Sequence, residues 1–525
     1  MSEDPLSSPI YTINDDILLY IFTFNADMFS DDNALPTTRM TSQVCRHWRD
    51  LMLESPSLWA KLIDLDHMSI SRTREWLEEL FQRSGDAPLW IRAKSATTCT
   101  TPRVRRALYS RPFFRDLISK NWHRIQKLIF STHSGFWFPR STMCLPAPQL
   151  EHCEASVHSQ QGVAPISNSN PLFANHAPML RSIYLKCLLV NRQAPWLGHL
   201  HSIVLDESYN VPNALAILSA AGSLQRLKIK NNIYDYPDVT ASTFPIASLP
   251  HLKSLEYNGG NVPVIAELLD HIEIPVNCSL CIQITGCYDT TLANFRIPSI
   301  INIFTRHAEC ALQTHIFDDI VFNYQRKSCI SFACRATRPV PCSLRISLPL
   351  FDDADSNVLE IFSKRLIQLD LTSVKTLTFT ADHQFPPWFG EFFSGLQSVE
   401  TMHTDLQTLS HMARLQTKYA SNTPKKPSIL FPALKVIDID DDRRSSQSTL
   451  SDNHAITALL LSRLHEGHPV ATFGMPTHLP LHASTNLDAL SELKGPAVLH
   501  NLSAMEDIVE YTGGSGAVEK AIDTV

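Results

Sequence analysis

This chain of 525 residues has little of what most enzyme chemistry requires. Only 16 glycines occur, and the one glycine-rich run, Gly513-Gly514-Ser515-Gly516, stands at the far end. No glycine-rich loop is therefore placed to cradle a phosphate between a strand and a helix. No Gly-x-Ser-x-Gly nucleophile elbow is present. No stretch approaches the roughly 18 apolar residues of a spanning helix, so no membrane partner is expected. The opening MSEDPLSSP has neither the basic nor the apolar region of a secretory signal. Neither sign of charge dominates: 45 basic residues against 52 acidic give −7. From that near balance no basic block stands out to neutralise phosphates, and no nucleic-acid partner is expected.

Metal-ligand patterns are incomplete as well. Cys278-Ser279-Leu280-Cys281 is a two-residue-spaced pair with Cys287 beyond it, but no second matched pair follows. The alternation around it reads as a strand holding buried thiols. His465-Glu466-Gly467-His468 has the wrong spacing for a zinc-protease helix and reads as a helix C-terminus. Asp438, Asp440, Asp441 and Asp442 lack the turn glycine of a calcium loop and read as a solvated strand end. No catalytic residue, metal or cofactor is expected. The twelve cysteines are scattered, many within apolar alternation, which fits reduced thiols in a cytoplasmic or nuclear protein that is not secreted.

What is present is apolar pattern: 44% of the residues are hydrophobic, an ordinary globular fraction. Asn14 is a good helix N-cap, with Asp15 and Asp16 in the first turn where the helix dipole favours anions. Ile13 and Leu18 take the two positions of a hydrophobic staple. Ile17, Leu18, Ile21 and Phe22 follow at helical spacing. Asn25 to Pro36 reads as a polar loop. A second helix is predicted from about Arg39 to Leu53, with Met40, Val44, Trp48 and Leu51 on one stripe. Ser55-Pro56 stops it, because the residue before proline avoids the helical region. Helices this short need a partner for their apolar faces, either the rest of the chain or another protein.

Ile17-Leu18-Leu19-Tyr20-Ile21-Phe22, Val44-Cys45-Arg46-His47-Trp48 and the trailing Ser55-Pro56-Ser57-Leu58-Trp59 together resemble the F-box, as found in mushroom-type fungal F-box proteins. The resemblance covers about residues 10 to 65. It departs from the family where Ile13-Asn14 replaces Leu-Pro and Asp16 replaces Glu. It implies a face that docks a Skp-type adaptor, made of Ile13, Ile17, Leu18, Ile21, Phe22, Val44 and Trp48. Through that adaptor the chain would join a cullin–RING ubiquitin ligase as a substrate receptor. A repeat scaffold whose F-box no longer docks, and an enzyme on a similar frame, are the alternatives.

Beyond a connecting helix within 66–89, read at Arg72 to Arg83, and a strand at Leu89-Trp90-Ile91, a degenerate unit recurs. It is an apolar residue, two polar residues, an apolar residue, one variable residue, and an apolar residue. Examples are Ile125-Leu128-Phe130, Leu150-Cys153-Ala155, Leu180-Ile183-Leu185, Leu200-Ile203-Leu205, Leu224-Leu227-Ile229 and Leu252-Leu255-Tyr257. It returns at Val374-Leu377-Phe379, Leu396-Val399-Thr401 and Leu434-Ile437-Ile439. A proline often precedes it and is placed at the strand start. Helical returns are predicted at Val211–Ala221, Val262–Ile272, Val358–Leu366 and Ile456–Leu464. One unit cannot hide its own apolar side, so neighbours must stack. The expected fold is α/β: a small N-terminal helical F-box-like module (10–65), then an irregular leucine-rich-repeat-like solenoid (90–505) that holds an unknown protein client. A flexible tail is expected at 506–525. The pattern falters between about 260 and 370, as irregular repeats or an insertion would make it.

Overall fold

The computed structural model describes residues 13–64, 73–93, 112–132, 140–157, 171–186, 190–206, 209–230, 244–285, 290–325, 328–338, 341–350, 355–383, 385–386, 388–422, 429–439, 450–475, 497–501, 508–512 and 518–522. Cys287 and Asp440 to Asp442 lie outside them. The chain divides into two units, Met1–Leu252 with His271–Glu273, and the remainder. Each is mixed α/β on a mostly parallel sheet.

The first unit opens with four short helices: α1 (Asp15–Asn25), α2 (Ala34–Thr41), α3 (Arg46–Leu53) and α4 (Pro56–Ala60). Then come β1 (Ile63–Asp64), α5 (Thr73–Arg83), β2 (Leu89–Ala93), β3 (Ile125–Thr132), β4 (His152–Val157), β5 (Ser182–Lys186), β6 (Ser202–Leu205) and β7 (Arg226–Lys230). These seven strands pair in chain order and all run parallel. One in-register row, Ile63, Ile91, Leu128, Cys153, Ile183, Ile203 and Leu227, is buried from end to end. It is the second apolar position of the repeat unit, and stacking it strand upon strand makes a core that no single unit could close.

The first apolar position has a different job. Leu150, Leu180, Leu224 and Leu252 each close a turn by donating their N–H to the carbonyl three residues back. Pro148, Pro178 and Pro250 therefore stand inside that turn, at its second residue, rather than at the strand start. Their fixed φ suits that position. The chain continues through β8 (Ala247–Ser248), β9 (Ser254–Gly259) and β10 (Ile272–Glu273). β8 and β10 pair within the first unit, and β9 begins the second.

In the second unit follow β11 (Ser279–Ile284), β12 (Ile316–Gln325), β13 (Cys329–Arg338), β14 (Cys342–Pro349), β15 (Thr376–Ala381), β16 (Thr401–Thr404), β17 (Val436–Ile439) and β18 (Thr472–Met475). The spatial order is β9, β11, β14, β13, β12, β15, β16, β17, β18. Here the irregularity between 260 and 370 has its explanation. After β11 the chain passes through the helix Thr290–Thr314 and returns three places further along the sheet, leaving a gap two strands wide. β13 and β14 then fill the gap, and β13 alone among these nine runs antiparallel. The repeat resumes at β15. One unit is shifted from the reading above: Met402 and Thr404 are buried while Thr401 is half-buried, so the unit is Val399-Met402-Thr404. Leu396 and Val399 are equally apolar and three apart, which makes the two phases indistinguishable by pattern.

The helical returns form at Val211–Ala220, Val262–Asp270, Asp355–Ile367 and Leu450–His465. Gly467, at φ +83, ends the last in the left-handed region that glycine enters without strain. Residues 506–525 carry β20 (Ile508–Thr512) and β21 (Val518–Ile522), which pair antiparallel with each other, and β20 pairs with β19 (Ala497–Asn501).

Candidate docking site

The chain forms α1 where its caps predict. Asn14 is extended, and its side-chain oxygen accepts the Asp16 N–H at 2.8 Å. Leu18, Phe22 and the following Ala26 turn inward and are buried. The opposite side is apolar too. Ile17, Tyr20, Ile21 and Phe24, at i, i+3, i+4 and i+7, form an outward stripe whose exposure runs from 41% at Ile21 to 75% at Phe24. An ordinary surface helix keeps its apolar residues on one side.

The second predicted helix does not run through. It divides into α2 and α3 between Thr41 and Arg46. The Thr41 and Ser42 hydroxyls donate to the carbonyls of Thr37 and Arg39, which offers the backbone an alternative to continuing. Cys45 then adopts an extended conformation and caps α3, its Sγ accepting the Trp48 N–H at 3.4 Å. The break scatters the expected stripe of Met40, Val44, Trp48 and Leu51. Met40 and Val44 are exposed, while Trp48 packs edge-on against Phe22 at 5.1 Å. Pro56, rather than ending structure, occupies the first turn of α4, where its missing N–H costs nothing.

The seven residues named from the sequence therefore separate. Ile17, Ile21 and Val44 are exposed, Ile13 and Trp48 are half-buried, and Leu18 and Phe22 are internal. Tyr20, Phe24, Met40 and Leu53 complete the exposed group and lie outside those seven. For Tyr20 and Phe24 the signal was available, since they continue the spacing of Ile17 and Ile21 around the helix. Of the 13 large apolar residues exposed among those described, seven lie between Ile17 and Leu53. Such concentration marks an interaction surface more often than scattered single residues do. Charges of both signs border it: Asp15 and Asp16 open α1, Arg39, Arg46 and Arg49 stand on α2 and α3, and His47 Nε2 lies 2.8 Å from Asp15 Oδ1.

These helices are fastened to the sheet behind them. Arg92 on β2 is buried and donates through Nε to Asp64 Oδ2 at 3.0 Å, through Nη1 to Asp32 Oδ1 at 2.7 Å, and to the Met28 carbonyl. Trp59 Nε1 donates to the Met52 carbonyl at 2.7 Å, and the Arg83 guanidinium covers the Trp59 ring at 4.7 Å. β1 pairs with β2 directly.

Several titratable groups elsewhere are buried. Burial pushes the Cys278 thiol up to about 12, and it pushes the Cys342 and Cys334 thiols up as well. His307 Nε2 lies 2.8 Å from the Cys278 carbonyl, and burial lowers its pKa. Burial thus holds these thiols in their protonated form, whereas the thiolate is the reactive one. His403 Nδ1 approaches Asp438 Oδ2 at 3.2 Å on the outward side of β16 and β17. No group of three potential metal ligands occurs among the described residues. No described helix is long and apolar enough to cross a membrane.

No protein-family model matches the chain, and no curated protein matches it. Among solved structures it is similar to the leucine-rich repeat-containing protein LegL7 from Legionella pneumophila, at 11% identity and a TM-score of 0.25, over 62% of this chain and 96% of that one.

Proposed function

We propose that this chain is a substrate-recognition subunit of a cullin–RING ubiquitin ligase. In this reading the N-terminal helices dock a Skp-type adaptor and the repeat strands hold a protein client. Catalysis would then be proximity, a raised effective concentration supplied by geometry rather than by side-chain chemistry. The supporting observation is the outward stripe Ile17, Tyr20, Ile21 and Phe24, which stands exposed among the described residues. The F-box-like motifs through the same residues supply the identity of the partner. One observation favours a scaffold outside any ligase: Asn14 caps α1 without the apolar ring that the family's proline presents.

Capture of a Skp-type adaptor by the full chain tests the reading. Wild type is expected to retain the adaptor, and Ile17→Asp with Ile21→Asp is expected to lose it with an unchanged melting profile. Folded wild type that captures no adaptor would overturn the ligase reading and leave the scaffold.

A further inference from the structure

The overall charge of −7 hides a local imbalance that the balance of the whole chain does not predict. Residues 1–88 carry fifteen acidic residues against seven basic. From Leu89 to Leu150 there are eleven lysines and arginines, and Asp116 is the one acidic residue. At one place in the described structure one of these cations, Lys127, meets Lys61, which comes from the acidic stretch before them. Trp90 on β2 faces away from the core row, and its Nε1 donates to Gln126 Oε1 at 2.8 Å, which fixes the ring. Lys127 Nζ stands 3.5 Å from the indole centroid and Lys61 Nζ 4.8 Å from the same centroid. Phe29 closes another side, edge-on to Trp90 at 5.6 Å and edge-on to His152 at 6.2 Å. Trp90, Lys127 and His152 are neighbours in one register row across β2, β3 and β4.

Two ammonium groups over one ring satisfy the indole quadrupole but repel each other. Burial depresses the Lys61 pKa; Asp27 opposes that depression, and Lys127 adds to it. A ligand carboxylate placed between the two ammoniums would remove the repulsion and make charge-assisted hydrogen bonds with both. Further along the same row stand Ser182, Ser202 and one further cation, Arg226, so the row carries isolated positive charges instead of a continuous track. Spaced point charges suit discrete carboxylates better than a nucleic-acid backbone, whose phosphates repeat every few ångströms.

We propose that the outward side of β2 to β4, centred on Lys61 and Lys127 over Trp90, binds an acidic polypeptide segment, with a glutamate or aspartate carboxylate seated between the two ammoniums. This concerns the client-holding half of the reading above and is independent of adaptor docking.

The probe is a fluorescein-labelled peptide of ten glutamates, titrated by anisotropy with the full chain at low salt. A ten-glutamine peptide and a ten-nucleotide oligothymidylate serve as comparisons. Wild type is expected to bind the glutamate peptide, and Lys61→Glu with Lys127→Glu to weaken it at least tenfold. Lys127→Arg, which keeps the charge over the ring, is expected to retain binding and so separates charge from folding. No binding by wild type, equal binding by the charge-reversed variant, or tighter binding of the oligothymidylate overturns the proposal. Adaptor capture measured on the same proteins is expected to be unchanged. Lost adaptor capture in wild type with intact peptide binding counts against the ligase reading alone.

Discussion

Two phenylalanines two residues apart on α1 have opposite fates, and their contrast is measurable. Phe22 is buried and stacks edge-on with Trp48, whereas Phe24 is exposed. Phe22→Ala is expected to destabilise by about 3–5 kcal/mol in denaturant unfolding, by analogy with other buried rings. Phe24→Ser is expected to stay within about 0.5 kcal/mol of wild type and to reduce binding of a hydrophobic dye. Arg92 behaves differently from either. Arg92→Met would leave Asp64 buried without its cation, so a loss of about 3–5 kcal/mol is expected from the same measurement. The Cys153 thiol offers a pH test. Burial, with Glu154 contributing, raises its pKa from 9.0 to about 12. The folded chain holds the thiol protonated up to that pH, while the unfolded thiol ionises near its ordinary value. Its contribution is therefore intact below pH 9.0 and is lost as the pH rises from there towards about 12. The unfolding midpoint should fall over that window in wild type and fall less in Cys153→Ala.

At the scale of elements, the sequence was most legible where two independent signals coincide. Asn14 with Asp15 and Asp16 located the start of α1, and Gly467 located the end of the helix Leu450–His465. The apolar spacing of the repeat located the strands from β3 to β7. Legibility failed where one signal served two structures. A helical period runs unbroken from Met40 to Leu51, yet the hydroxyls of Thr41 and Ser42 divert the backbone between them. Leu396 and Val399 gave two phases for one strand. The order of β11 to β15 had no local signal, because it depends on which gap in the sheet a strand fills, not on its own alternation. That filling has an energetic signature. Phe332 on β13 lies 6.3 Å from Phe322 and 6.4 Å from Phe304, so it joins the inserted strand to its neighbours on both the sheet and the helix. Phe332→Ala is expected to cost about 3–5 kcal/mol, read as a lowered denaturation midpoint.

On the scale of the whole chain, the candidate docking residues were partly legible and their mechanical setting was not. The motif pointed to α1 and the Val44–Trp48 segment, but a linear pattern cannot say which side of a helix its own protein covers. Nor can it reveal that Arg92, 60 residues beyond Asp32, holds the loop after α1. That distant fastening bears on how the amino-terminal part can be studied. Severed after residue 70, a fragment would keep Asp64 yet lose the arginine that neutralises it, and β1 would lose its neighbouring strand. Its circular-dichroism melt is expected to be broad, where the full chain's is sharp. A bait trimmed to the motif would thus present a frayed, sticky stump, and the proteins it gathers would report on the cut and not on the native helix. Fishing for partners calls for the whole first unit on the hook.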